Sequence, residues 1–230
     1  MKLSRILSNQ NGVSRKQANA LIASAAVTVD GETCREAARE VDRFSTVTCG
    51  GRVIQPGEQA CYLMLHKPSG YLSATADKVH KTVMELIDPS LHNGLHIAGR
   101  LDRASTGLLI LTNNGTWSRR LTEPEIRIPK VYRVSTACAI TPETAERFAE
   151  GIWFQFEQLR TSPAGIELLG EREARITIYE GRYHQVKRMF HAVGNRVTAL
   201  HRESMGNIRL DDSLTPGASR LLTETEINSV

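Results

Sequence analysis

Residues 99–115 read GRLDRASTGLLILTNNG. The charged cluster Gly99-Arg100-Leu101-Asp102-Arg103 has one apolar run before it, Leu95–Ala98, and another after it, Leu108–Thr112. Short apolar runs bounded by Gly, Asn and charged residues predict strands, which makes the cluster a loop between two of them. The Asn113-Asn114-Gly115 that follows predicts a turn. Asp102 has Arg100 and Arg103 as sequence neighbours. A carboxylate near guanidinium groups stays ionised, and an ionised Asp can act as nucleophile or base. Read alone, the stretch fits a loop with a structural salt bridge better, because ion-pair networks hold carboxylates charged in the same way.

On the N-terminal side, Tyr62–His66 and Tyr71–Ser73 predict short strands around the strongly marked turn Lys67-Pro68-Ser69-Gly70. Val131–Ala139 and Arg175–Tyr179 predict further strands, and Thr141-Pro142-Glu143 opens a helix with Pro at its first position. Tyr183–Val193 predicts a helix: Val186, Met189, Phe190 and Val193 recur at i, i+3, i+4 and i+7, and Gly194 stops it. No regular alternation of strand and helix appears, so residues 59–230 predict an α+β domain with a mixed, mostly antiparallel sheet. His184, Gln185, Lys187 and Arg188 lie off the apolar face of the last helix. They form either a solvated basic face or a cationic surface for a phosphate or for Asp102. Tyr132, between Lys130 and Arg133, is either a half-buried strand residue or a platform for a nucleobase.

Residues 1–58 differ in character. Met1–Val29 holds Lys2, Arg5, Arg15 and Lys16 and no acidic residue. Leu3, Ile6 and Leu7 predict one short helix. Ser14 with Gln17 has capping-box spacing, and Ala18, Leu21, Ile22 and Ala25 supply the stripe of a second. Val27–Val29 predicts a strand, Asp30-Gly31 a tight turn, and Gln55–Glu58 a linker.

The 230 residues carry a net charge of +4 with 40% hydrophobic content, which excludes a wholly disordered chain and permits a polyanionic partner without demanding one. Cys34, Cys49, Cys61 and Cys138 form neither a zinc spacing nor a disulfide framework. The seven His residues show no ligand spacing, so no metal is expected. No P-loop or G-x-G-x-x-G occurs, and no 18-residue apolar run. The N-terminal residues lack the apolar core of a secretory signal. The expectation is a soluble, cytoplasmic monomer without a membrane partner.

The run Ser14–Cys34, SRKQANALIASAAVTVDGETC, resembles the S4 RNA-binding domain. Residues 62–75 (YLMLHKPSGYLSAT), 99–115, the KVYRV around Tyr132, and 180–189 (EGRYHQVKRM) resemble the four ordered motifs of the pseudouridine synthases. With the N-terminal segment, the whole chain resembles the small-subunit (16S) rRNA pseudouridine synthase A family. Ala104, Asn114 and His66 depart from residues common at those places. The resemblance implies isomerisation of one uridine, at position 516 of 16S rRNA, either in free RNA or in a small-subunit assembly intermediate, without cofactor. It implies Asp102 as the essential carboxylate, Lys187 as its basic partner and Tyr132 as the residue that stacks on the flipped base. Because Lys187 stands where Arg is frequent, it also implies a looser contact there. Arg100 would fill the space the base leaves, Leu200 would pack on the uracil, and Arg188, Arg15 and Lys16 would contact phosphates. The alternatives are a synthase acting on 23S rRNA, which shares the four motifs, a non-catalytic ribosome-assembly protein, and a base-releasing N-glycosidase.

Overall fold

A computed structural model describes residues 1–230 and divides the chain into two compact units, Met1–Ala60 and Cys61–Val230. The first unit begins with α1 (Leu3–Ser8) and α2 (Arg15–Ala23). Ser14 Oγ accepts from Gln17 N and Gln17 Oε1 accepts from Ser14 N, a reciprocal cap that starts α2. β1 (Val27–Val29), β2 (Glu32–Thr33), β3 (Thr46–Cys49) and β4 (Arg52–Pro56) form a sheet in the order β2-β1-β3-β4. Asp30 and Gly31, both at positive φ, make the β1–β2 turn. β4 runs through Pro56, so the expected linker is partly strand. Leu3, Leu7, Ala18, Ile22, Val27 and Val47 close a separate core.

In the second unit, β5 (Tyr62–Lys67), β6 (His96–Ala98) and β7 (Thr106–Thr112) precede α3 (Gly115–Thr122). β8 (Lys130–Thr136), α4 (Pro142–Glu150), and the short hairpin β9 (Trp153–Phe154) and β10 (Leu159–Arg160) follow. Then come β11 (Gly165–Gly170), β12 (Glu173–Ile178), α5 (Gln185–Ala192), β13 (Val197–Met205), β14 (Ile208–Arg209), β15 (Ser219–Leu221) and α6 (Glu224–Asn228). The main sheet runs β11-β12-β8-β13-β7-β5-β15, with β14 on β13 and β6 on β7. Its pairs are antiparallel except β13·β7, where His201 faces Thr106 and Arg202 faces Gly107.

Side chains alternate across a strand, so β7 is buried on both faces. Leu109 and Leu111 join Phe148 of α4 and Phe190 of α5 in one core, while Leu108 and Ile110 join Trp117 of α3 in the other. The α+β architecture with its mostly antiparallel sheet thus matches the sequence reading. Three local expectations differ. Asn114 does not close a hairpin turn but caps α3, its Oδ1 accepting from Trp117 N. Around Tyr71–Ser73 only Leu72 pairs, in a single bridge to Thr82. The helix expected over Tyr183–Val193, α5, begins at Gln185, because His184 holds φ 47°.

Candidate active site

The parallel β7·β13 junction positions the Asp102 loop. Gly107, at φ +105°, lies so close to β13 that a Cβ there would stand 2.3 Å from Arg202 O. Arg202, 2% exposed, donates from Nε to Leu108 O and from Nη2 to Gly99 O, so one side chain holds both ends of the loop. Ser73 Oγ donates to Leu101 O and accepts from Leu101 N. Lys67 is fully buried, and its Nζ donates to the carbonyls of Pro68, Arg103 and Ser105. Gly70 N donates to Arg103 O, and Arg103 Nε to Gly70 O. The Lys67–Gly70 turn is therefore a clamp on the Asp102 loop. Burial pulls the Lys67 ammonium down to about 8, against the opposing pull of Asp102.

The N-terminal end of α5 supplies the partners of the carboxylate: Lys187 from its first turn, and His184 from the residue just before it. Lys187 Nζ donates to Asp102 Oδ2 at 2.6 Å, and His184 Nε2 lies 3.2 Å from Oδ1. The looser geometry expected of a Lys is not what the structure shows, because His184 engages the oxygen that a single ammonium leaves free. The segment before α5 is itself held: buried Glu180 accepts from Ser162 N, Gln185 Nε2 and Arg182 Nε, and Gln185 Oε1 accepts from Arg182 N. His184 sits in the left-handed region, uncommon for a residue other than glycine, at the point of contact with Asp102.

The carboxylate opens into a pocket lined by Arg100, Ser105, Tyr132, Ile178, Val186 and Leu200, among others. Tyr132 is 8% exposed and Leu200 9%, so their apolar surfaces form a slot. Ser105 Oγ is buried without a hydrogen-bond partner in that lining. The structure thus gathers Asp102, Lys187, Tyr132, Arg100 and Leu200. Of the two basic neighbours of Tyr132 on β8, Arg133 points to the opposite face and pairs with Glu173, while Lys130 shares the face of Tyr132 and is buried with its Nζ on Ile128 O. Arg188 is paired through both terminal nitrogens with Glu157 and stacked 3.8 Å from the Phe154 ring centre. Arg15 and Lys16 open α2 in the other unit, exposed. Lys67, Ser73 and Arg202 are positioning residues that carry no signal in the sequence, whereas His184 was legible there as part of a cationic surface for a phosphate or for Asp102.

No group of His, Cys, Asp and Glu side chains is placed to hold a metal ion, and no helix is long and apolar enough to cross a membrane. The sequence pattern of the RNA pseudouridylate synthase family matches residues 61–192. The chain is 50% identical over 230 residues to the ribosomal small subunit pseudouridine synthase A of Pseudomonas aeruginosa, covering 100% of both. It is 44% identical to the protein of the same name from Escherichia coli, again covering 100% of both. A solved structure described as a pseudouridylate synthase has 37% identity and a TM-score of 0.73, over 100% of this chain and 99% of that one.

Proposed function

The chain belongs to the RNA pseudouridylate synthase family, and from that premise we propose that it converts uridine 516 of 16S rRNA to pseudouridine with Asp102 as the reacting carboxylate. The observation that carries the reading is the double engagement of Asp102 by Lys187 and His184 at the mouth of an aromatic and apolar slot. A carboxylate oxygen offers two lone-pair directions, so one nitrogen neighbour on each leaves both oxygens able to react.

The reaction breaks the bond from uracil N1 to ribose C1′, turns the ring and joins C5 to C1′. C5 loses a proton and N1 gains one. The target base leaves its stack, at a cost of about a few kcal/mol. Tyr132 and Leu200 sandwich the ring, and Ser105 offers its unpartnered hydroxyl to the polar edge of the uracil. Arg100, exposed at the rim, takes the space that the base vacates. Asp102 then attacks C1′ or removes the 2′ proton; each route needs it ionised and aimed, which Lys187 and His184 secure. The N-terminal unit, as an S4-like module, grips RNA through Arg15 and Lys16. Both sit at the positive end of α2, where an anion is favoured.

Release of tritium from [5-³H]uridine-labelled 16S rRNA tests this chemistry, because C5 must give up its hydrogen. Tritium release with the base retained in the chain supports the reading. Free uracil would mean an N-glycosidase, and no release with RNA still bound would mean a non-catalytic assembly protein.

A further inference from the structure

The pocket at Asp102 is small, ≈ 80 Å³, and adjoins a much larger groove of ≈ 580 Å³. The groove shares Arg100, Asp102, Arg182 and His184 with the pocket and adds Arg103 and Tyr183. Tyr183 is 75% exposed, yet its ring is held: it stacks on the His184 imidazole with centroids 3.9 Å apart and planes within 17°. An aromatic ring fixed on one face and open on the other is a ready platform for a nucleobase. Around it stand three guanidinium groups with donors to spare. Arg100 has no polar partner among its neighbours, Arg103 spends only Nε on Gly70 O, and Arg182 spends only Nε on Glu180. The one acidic residue lining the groove, Asp102, is already paired. Uncommitted arginines beside an exposed ring are what a phosphate and its base require together.

We infer that this groove is a subsite for a nucleotide adjoining the target uridine in single-stranded RNA, its base on Tyr183 and its phosphate on the arginines. The inference rests on reading the Asp102 pocket as the uridine site. It carries a consequence for the chemistry. The ring that receives the flanking base is stacked on the imidazole that touches Asp102 Oδ1. Occupancy of the subsite therefore steadies His184 as a partner of the reacting carboxylate.

The test is a cycle between RNA and protein. An RNA fragment carrying the target uridine is made intact and with an abasic nucleotide immediately 5′ or 3′ of it. Wild type, Tyr183→Ala and Tyr183→Phe are compared in kcat/KM for pseudouridine formation. For wild type, one of the two abasic positions should cost about tenfold, in line with the strength of base–aromatic stacking. The same lesion should cost Tyr183→Ala little more, since its stack is already lost, and Tyr183→Phe should behave as wild type. Equal losses in wild type and Tyr183→Ala at both positions would overturn the subsite. Binding is read separately from turnover, with 2-aminopurine as the flanking base. Quenching by wild type that is absent in Tyr183→Ala supports the platform, and no quenching at either position refutes it. An inactive wild type that still quenches would instead count against the proposed reaction alone.

Discussion

A carboxylate on a mobile loop is a poor reagent, because much of the barrier is the cost of aiming it. Asp102 avoids this through a nitrogen beside each of its oxygens, Lys187 Nζ at Oδ2 and His184 Nε2 at Oδ1, and the two are separable by mutation. Lys187→Met should lower single-turnover rate about a hundredfold or more, while RNA affinity changes by only a few-fold. His184→Ala should cost less, about tenfold, because the ammonium remains. A fall in affinity that accounts for the whole loss in either variant would assign these residues to binding instead. Lys67 makes a prediction about pH. Its ammonium holds three carbonyls, and a neutral amine has fewer hydrogens to donate. The single-turnover rate should therefore fall as pH rises past about 8, and Lys67→Met should be slow with that alkaline limb absent. Stability moves the other way. The folded state binds its proton less tightly than the unfolded chain, so this lysine's contribution to stability rises with pH between about 8 and 10.5. A rate profile unchanged by Lys67→Met would show that another group titrates.

At the scale of elements, the β7·β13 crossing is the weak point of the design. Gly107→Ala would force a Cβ against the Arg202 backbone at a φ that disfavours side chains, for a loss of about 3 kcal/mol. Denaturant unfolding of the variant should show this, and a midpoint equal to wild type would mean that β13 yields freely. Much of the element pattern was legible in sequence. The apolar runs of β5 and β7, the Ser14 cap and the stripe of α5 each declare a local preference that packing then confirms. β13 did not declare itself, since Arg202 is a buried residue that packs by satisfying Gly99 and Leu108 carbonyls, and no hydrophobic pattern records that. Lys67 was hidden for the same reason. α3 was hidden because Asn before Gly serves a turn and a helix cap equally well. Asp102, Tyr132 and Lys187 each carried a chemical reading from local sequence beside a plain structural one, and the family pattern favoured the chemical reading. Their meeting depends on strand order, which no local stretch encodes.

For the whole molecule, each unit has its own core, so the N-terminal residues can be removed without opening the catalytic sheet. Deletion of residues 1–60 should weaken RNA binding more than it slows single turnover at saturating RNA. Loss of the rate as well would mean that the N-terminal unit takes part in the chemistry. The proposed isomerisation of one uridine of small-subunit rRNA by Asp102 can be read out directly. The direct measurement supplies unmodified 16S rRNA, free and as an assembly intermediate, to wild type and to Asp102→Asn. New pseudouridines are mapped by carbodiimide labelling and primer extension. Wild type should give a single new stop at uridine 516, and Asp102→Asn none. A stop that survives in Asp102→Asn, or one found only in 23S rRNA, would contradict it.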